Sequence, residues 1–348
     1  MKTTNLTIFI ITLAIAGIVF SCNKPKDSDI SSSIKVERIK SFNEMDSLVK
    51  IYNDKNLSWK EFNEIISDPI NHEIVYKWAL EKVNNNDLFG QFILGICYEN
   101  GRGVKKDEAK AVEWYAKAAE QGYAEAQYNL GNMYLEGHGV KKDEAKAFEW
   151  YAKAAEQGHA IAQNNLGVFY ENGLGGEKDE AKAVELYAKA AERGLDVAQF
   201  NLGICYENGR GVKKDEAKAV EWYAKAAEQG YAEAQDNLGL CYIHGRGVNK
   251  NDSKAFEWFT KAAEQGLAEA QYNLGVCYID GRGVEKDEAK AVELYTTAAE
   301  QGYALAQLHL GGCYLIGRGV KKDEAKAFEW MTKAAEQGLA EAQYVLGF

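Results

Sequence analysis

Few side chains in this sequence are spaced for covalent chemistry. Ser47 and Lys50 have the S-x-x-K separation that sets a lysine beside a serine nucleophile, but no S-D-N or K-T-G partner accompanies them. His72-Glu73 opens like a zinc-protease helix, which needs a second histidine four residues after the first; Tyr76 stands there. Gly101-Arg102-Gly103 and Gly173-Leu174-Gly175-Gly176 have the glycines of a phosphate loop without the Gly-Lys-Ser/Thr that completes one. His138, His159, His244 and His309 show no metal-ligand spacing, and Ser253 is the one serine between residues 91 and 342. No catalytic residue, metal ligand or cofactor is assigned. Five cysteines, Cys97, Cys205, Cys241, Cys277 and Cys313, share one repeat position. Adjacent helical layers stack about 10 Å apart, and a disulfide needs Cα atoms within about 7 Å. These residues are therefore read as buried apolar thiols.

The remaining chemistry is recognition. Asn129, Asn165, Asn201, Asn237 and Asn273 stand 36 residues apart. A carboxamide donates and accepts hydrogen bonds at once, so a row of them can grip an extended peptide backbone. Tyr128, Phe200 and Tyr272 lie beside the row as aromatic anchors, and Asn132, Asn164 and Asp236 fall on the same stripe. These eleven residues are the candidate ligand contacts. The alternative is that each asparagine bonds its own repeat or the next and serves the fold.

The elements that position them recur without insertion. Gly95, Gly131, Gly167, Gly203, Gly239, Gly275, Gly311 and Gly347 are each 36 residues from the next. Such a period marks a solenoid, whose units bury their apolar faces against their neighbours. In one unit, Gln127, Leu130, Gly131 and Tyr134 share a helix face, which predicts a first helix over 124–135. Gly131 weakens that helix, so its recurrence predicts a neighbour too close for a Cβ. Gly137 and Gly139 break the chain, and Asp143 caps a second helix over 144–156. Asp107, Asp179, Asp215, Asn251, Asp287 and Asp323 repeat the cap. Ala147, Trp150 and Ala154 are expected to face inward, with Glu149 and Lys153 as an outward ion pair. Gly158 ends the helix. Positions 125, 128, 129, 132 and 136 lie opposite the core face and vary most between units.

Seven units are read over 91–342, with a truncated eighth over 343–348. Tyr344, Leu346 and Phe348 are expected to fold back over the end, the alternative being an open apolar surface. Residues 34–90 form a helical N-terminal cap: Ser58-Trp59-Lys60-Glu61 is a capping box, and Trp78 and Asn86 sit 36 residues before Trp114 and Gly122. The only prolines, Pro25 and Pro69, lie outside the repeats, as an all-α array requires. Residues 22–33 read as a polar tether.

Lys2, the apolar run 6–20 and Ser21-Cys22 read as a signal segment, too short to span a bilayer. Its Val19-Phe20-Ser21-Cys22 ending resembles a bacterial lipobox, which implies a lipoprotein signal over 1–21 and a lipidated Cys22. An ordinary signal peptide or an uncleaved anchor is the alternative. The repeat pattern, as in Ala124 through Gly158 and Ala232 through Gly266, resembles the Sel1-like repeat, a relative of the tetratricopeptide repeat. The resemblance implies a right-handed superhelix of helix pairs with a concave face, acting as an adaptor or scaffold, and carries no shared catalytic residues. Cysteine-rich relatives with a β-lactamase label have two bridged cysteines per repeat; this chain has at most one.

A net charge of -11 disfavours nucleic acid, whose phosphates demand clustered lysine and arginine. The expectation is a non-enzymatic scaffold, lipid-anchored at a membrane of the cell envelope on the periplasmic face or the cell surface, binding a protein or peptide on its concave face. The alternatives are a β-lactamase-like hydrolase and a cell-wall glycan binder.

Overall fold

The computed structural model describes residues 38–54 and 57–347. The signal segment, Cys22, the tether and Phe348 lie outside the described residues. Among them the chain is all helical, with 18 α-helices and no strand, and no helix is long and apolar enough to cross a membrane. Contacts divide the chain into two compact units, Met1–Leu195 and Asp196–Phe348.

In the first unit, α1 (Phe42–Asn53), α2 (Trp59–Ser67) and α3 (His72–Val83) precede the repeats. Ser58 and Glu61 make the expected capping box at α2. The half-repeat is present: α3 sits 36 residues before α5, and Asn86 takes φ +56°, the one non-glycine residue with positive φ among those described. Three helix pairs follow, α4 (Leu88–Asn100) with α5 (Glu108–Glu120), α6 (Ala124–Glu136) with α7 (Glu144–Glu156), and α8 (Ala160–Asn172) with α9 (Glu180–Glu192).

The second unit holds α10 (Asp196–Asn208) with α11 (Glu216–Glu228), α12 (Ala232–His244) with α13 (Asp252–Glu264), α14 (Ala268–Asp280) with α15 (Glu288–Glu300), and α16 (Ala304–Ile316) with α17 (Glu324–Glu336). A last helix, α18 (Ala340–Leu346), packs on α17. Within each unit every repeat helix packs on the next in chain order, the α-solenoid arrangement.

Two glycines show how a repeat is fastened. A Cβ on Gly131 would stand 2.7 Å from the Tyr151 ring, so α6 and α7 approach through a bare backbone. Gly139, at φ +68°, would place a Cβ 2.3 Å from the Glu108 backbone, so its turn docks on the N-terminus of the preceding second helix. All seven Asp/Asn caps accept a backbone N–H from the third residue of their helices.

The inward stripe of the second helix differs from expectation. Tyr151 is fully buried with Ala147, Ala154 and Ala155, while Trp150 is only half-buried. A lysine ammonium lies over Trp150 and its counterparts Trp114, Trp222, Trp258 and Trp330, at 3.7–4.1 Å from the ring centroid. Lys153 lies over Trp150 and makes no ion pair with Glu149, whereas Lys333 lies over Trp330 and pairs with Glu329 as well. The i, i+4 ion pair forms at Glu185–Lys189, where leucine replaces the tryptophan, and at Glu329–Lys333. At the C-terminal end Tyr344 is 86% exposed and covers nothing, while Leu346 packs with Ala334, Ala335 and Ala342.

Candidate functional site

The first helices carry the candidate contacts, and the structure divides these into three groups. Phe200, Asn164 and Asp236 are buried. Phe200 is a core residue, its ring 5.8 Å from Tyr223 and 5.2 Å from Tyr231, so it offers no surface anchor. Asn164 donates to Asn165 at 3.4 Å. Tyr128 and Tyr272 are half-buried. The Tyr128 ring stacks on His159 with centroids 4.8 Å apart, and Tyr272 lies 5.5 Å from Tyr303 and 5.1 Å from His309. The third group, Asn129, Asn132, Asn165, Asn201, Asn237 and Asn273, is half-buried on the same helices.

The asparagine row is partly consumed by the fold. Asn132 accepts the Tyr151 hydroxyl at 2.6 Å, and Asn129 lies in hydrogen-bond reach of Tyr115. Asn165 accepts from Asn164 at 3.4 Å and lies near the hydroxyl of Tyr128, 37 residues earlier. At the same step Asn273 donates to Asp236 at 2.8 Å, and His309, in the asparagine position, meets the Tyr272 hydroxyl at 3.4 Å. These are bonds from one repeat to the next. The counterpart of Asn237 one step back is Phe200, which has no hydrogen-bonding group, so that step carries no such bond.

A second amide row went unread in the sequence. Gln127, buried, donates to the Ala119 carbonyl at 3.0 Å and accepts from Gln157 at 2.7 Å, fastening the end of α5 to the end of α7. Gln235 does the same with Ala227 and Gln265, and Gln307 with Ala299 and Gln337. The signal was a glutamine at two positions 30 residues apart. Arg193 interrupts it, and Gln163 Oε1 is left buried without a partner.

Charge is sorted between the two helix types. None of the first helices, α4, α6, α8, α10, α12, α14, α16 and α18, contains lysine or arginine, whereas every second helix does. The lysines of the second helices are turned to tryptophan and tyrosine rings, as Lys218 is over Tyr206 at 5.2 Å. Burial pushes the Asp236 carboxyl up to about 6, with Glu269 and Glu233 adding to the rise against the Asn273 bond. Glu233, Asp196 and Glu125 are raised as well, chiefly by burial. His159 is pushed down to about 4 by burial; its Nδ1 accepts the Ala162 N–H at 3.1 Å as the cap of α8. All five repeat cysteines are buried, and burial raises Cys97 and Cys277 to about 12 and Cys241 to about 11, so these thiols are poor nucleophiles and ligands. Among the described residues no group of three or more His, Cys, Asp or Glu is placed to hold a metal.

Helix pairs of fixed length, a bare glycine contact and a variable first-helix stripe define a class of repeat scaffold. The Sel1 repeat matches residues 88–123, 124–159, 160–195, 196–231, 232–267, 268–303 and 304–339, and the chain belongs to that family. These frames begin three residues before those read from the sequence, at the first residue of each first helix. The structure is similar to c5321, a protective antigen present in uropathogenic Escherichia coli strains that displays an SLR fold, with 36% identity and a TM-score of 0.74 over 87% of this chain. The chain spans 66% of that antigen's length. It is also similar to a Sel1 repeat protein from Oxalobacter formigenes, with 34% identity and a TM-score of 0.65 over 88% of this chain and 86% of that one. No curated protein matches the chain. Sel1 repeat chains are in general protein-binding scaffolds rather than enzymes.

Proposed function

We propose that this chain is a non-enzymatic scaffold that binds a protein or peptide on the stripe presented by its first helices, the expected concave face. The observation that carries the reading is a variable first-helix stripe of half-buried asparagines and tyrosines set on a second-helix framework that is repeated almost verbatim. Half-buried Tyr128 and Tyr272 supply the aromatic area that dominates such contacts. The test is affinity capture from detergent-solubilised envelopes with the full chain and with Tyr128→Ala, Asn237→Ala and Tyr272→Ala combined. Partners bound by the parent and lost by the variant, at an equal melting temperature, support the stripe. Identical captures sink it.

The same proposal places the scaffold at the cell envelope through lipid on Cys22, on the strength of the Val19-Phe20-Ser21-Cys22 ending. Two or more acyl chains there suffice for a stable anchor. Cys22→Ala is expected to abolish incorporation of a labelled fatty acid and to move the protein to the soluble fraction. Labelling that survives the substitution refutes the anchor.

A further inference from the structure

The last repeat differs from the others in what it exposes. Eight large apolar side chains are exposed among the described residues, and five of them, Leu315, Ile316, Phe328, Tyr344 and Val345, fall on α16, α17 and α18. Phe328 is 61% exposed, whereas its counterparts Phe148 and Phe256 rest against Tyr170 and Tyr278 of the following repeat, with ring centroids 5.2 and 5.5 Å apart. Leu315 is 41% exposed, whereas Ile243 and Ile279 at the same position are 8% exposed. The earlier junctions thus show what such a face takes: an apolar helix surface that sets an aromatic ring against the phenylalanine.

An uncovered junction does not account for the other residues. Position 316 is Asn100, Glu136, Asn172, Asn208, His244 and Asp280 in the six preceding repeats, all polar and all exposed. Ile316 alone is aliphatic there, and it too is exposed. Val345, also exposed, stands in the row of Asn129, Asn165, Asn201, Asn237, Asn273 and His309. Two positions that are polar six times running turn apolar together on one surface. Contiguous exposed apolar surface of this kind marks a contact site.

The arrangement of the repeats selects the occupant. Within the chain the complement of this face is the leading side of a repeat. In the first repeat that side is closed, because α3 packs on α4 and buries Trp78 and Phe92. End-to-start stacking of copies into filaments is thereby blocked, and like faces are left to meet about a two-fold axis. Such pairing gives Phe328 of one copy the Tyr344 ring of the other, as Phe148 has Tyr170. With about 150–250 Å² for a whole aromatic side chain, the exposed parts of the five come to roughly 500 Å² per copy, most of the about 800 Å² per partner of a standard interface.

We propose that the surface shared by α16, α17 and α18 is a two-fold interface between two copies of this chain, with Ile316, Phe328, Tyr344 and Val345 at its centre. The pairing goes beyond the stripe-binding reading and does not depend on it. It sets two stripes in one assembly, so a partner with two binding segments is held more tightly than by either stripe alone.

Sedimentation equilibrium of the full chain in a density-matched nonionic detergent tests this. The mass is expected to rise with concentration from that of one chain to that of two. Ile316→Asn, Tyr344→Ser and Val345→Asn together are expected to weaken the association at least about tenfold without lowering the melting temperature, since all three side chains are exposed. Ile70→Asn removes an exposed apolar side chain ahead of the repeats and is expected to leave the association within about twofold. Ile316→Asn alone, which installs the residue of positions 172 and 208, keeps the test in force if the triple variant melts early. A benzophenone amino acid in place of Tyr344, irradiated in intact envelopes, identifies the occupant, and a crosslinked pair of this chain is expected. A single-chain mass at every concentration, a pair that the triple variant leaves intact, or a crosslink to a different protein overturns the inference. None of these results touches capture by the stripe, so the two readings fail separately.

Discussion

The two helices of each repeat obey different rules. The second helices begin at an Asp or Asn cap in all seven repeats, carry lysine over their own tryptophan in five, and share nearly one sequence. Of the first helices, α6, α12, α14, α16 and α18 begin at Tyr123, Tyr231, Leu267, Tyr303 and Leu339 with no side-chain cap, and none of the first helices carries lysine or arginine. Local signals thus fix the second helix, whereas the first is held by packing, by its glycine against the neighbouring ring, and by glutamine bridges. A helix held from behind is left with a side-chain row that the fold does not dictate, and that row is the one that varies most between repeats.

The sharpest way to break this comparison is to unpack the ring that the first helix rests on. Tyr223 is wholly buried, faces Gly203, and donates to Glu207 at 2.8 Å. Tyr223→Ala is expected to cost about 3–5 kcal/mol in chemical denaturation. Tyr272→Ala, on the half-buried stripe, is expected to cost less than half of that. Equal losses would show that the stripe is core and not a surface held in reserve.

Acid and base distinguish two first-helix groups, the His159 cap of α8 and the buried Asp236 of α12, with opposite signs. His159 has its folded pKa depressed from 6.5 to about 4, so the fold favours the neutral ring. Its contribution is whole above pH 6.5 and is lost as pH falls toward 4, by as much as about 3 kcal/mol at 1.36 kcal/mol per unit. Asp236 has its folded pKa raised from 3.8 to about 6, so the fold favours the neutral acid. Its charge costs nothing below pH 3.8 and penalises the fold increasingly up to pH 6, again by about 3 kcal/mol at most. Asp236→Asn is therefore expected to raise the melting temperature at pH 7 and to leave it unchanged at pH 3.5. His159→Tyr, which installs the residue found at position 123, is expected to lessen the loss of stability between pH 6.5 and 4. If Asp236→Asn fails to stabilise at neutral pH, this carboxylate is not held at a cost to the fold.

Caps sharpen the same contrast on a smaller scale. Asp215→Ala removes the acceptor for the Lys218 N–H at 3.0 Å and is expected to cost about 1 kcal/mol. Tyr231→Phe, at the uncapped start of α12, is expected to change stability by less than about 0.5 kcal/mol, because Tyr231 makes no side-chain cap bond. An equal cost at both would mean that the first helices depend on their starts as much as the second helices do.

What was readable in the sequence was local or strictly periodic. The caps, the bounds of α7 and the close approach at Gly131 follow from residue types at fixed offsets, and each is present. The inward choice between Trp150 and Tyr151 was not readable, because adjacent positions lie only 100° apart and both border the packed face. The larger ring was assigned inward, but Gly131 leaves room for a phenyl ring in contact, and the indole instead receives Lys153. Phe200 was misread for a related reason: the stripe repeats in sequence, and its ring packs on Tyr223 and Tyr231 as Tyr272 does on Tyr295 and Tyr303, but without a hydroxyl to reach the next repeat it is buried as core. The glutamine bridges join residues 30 apart on different helices, so they need the pair geometry before they mean anything. The absence of lysine and arginine from the first helices was in plain view but becomes informative only once those helices are known to share a role.

The smallest effect concerns the one repeat whose two helix ends are not bridged. In 160–195, Arg193 stands where six other repeats have the glutamine that donates to the buried first-helix amide, at 2.7–3.1 Å. Gln163 still donates to the Ala155 carbonyl at 3.1 Å, so only its Oε1 is orphaned. Arginine can donate too, but its longer side chain extends over Gly158, where a Cβ would stand 2.5 Å from the guanidinium. Arg193→Gln is expected to restore the bridge and to stabilise the chain by about 1 kcal/mol, the cost of a buried unsatisfied acceptor. Gln163→Ala is expected to be less harmful than Gln127→Ala, because it breaks one bond where the other breaks two. Equal losses from these two, or no gain from Arg193→Gln, would mean that the bridges do not fasten the first helices and that packing alone holds them.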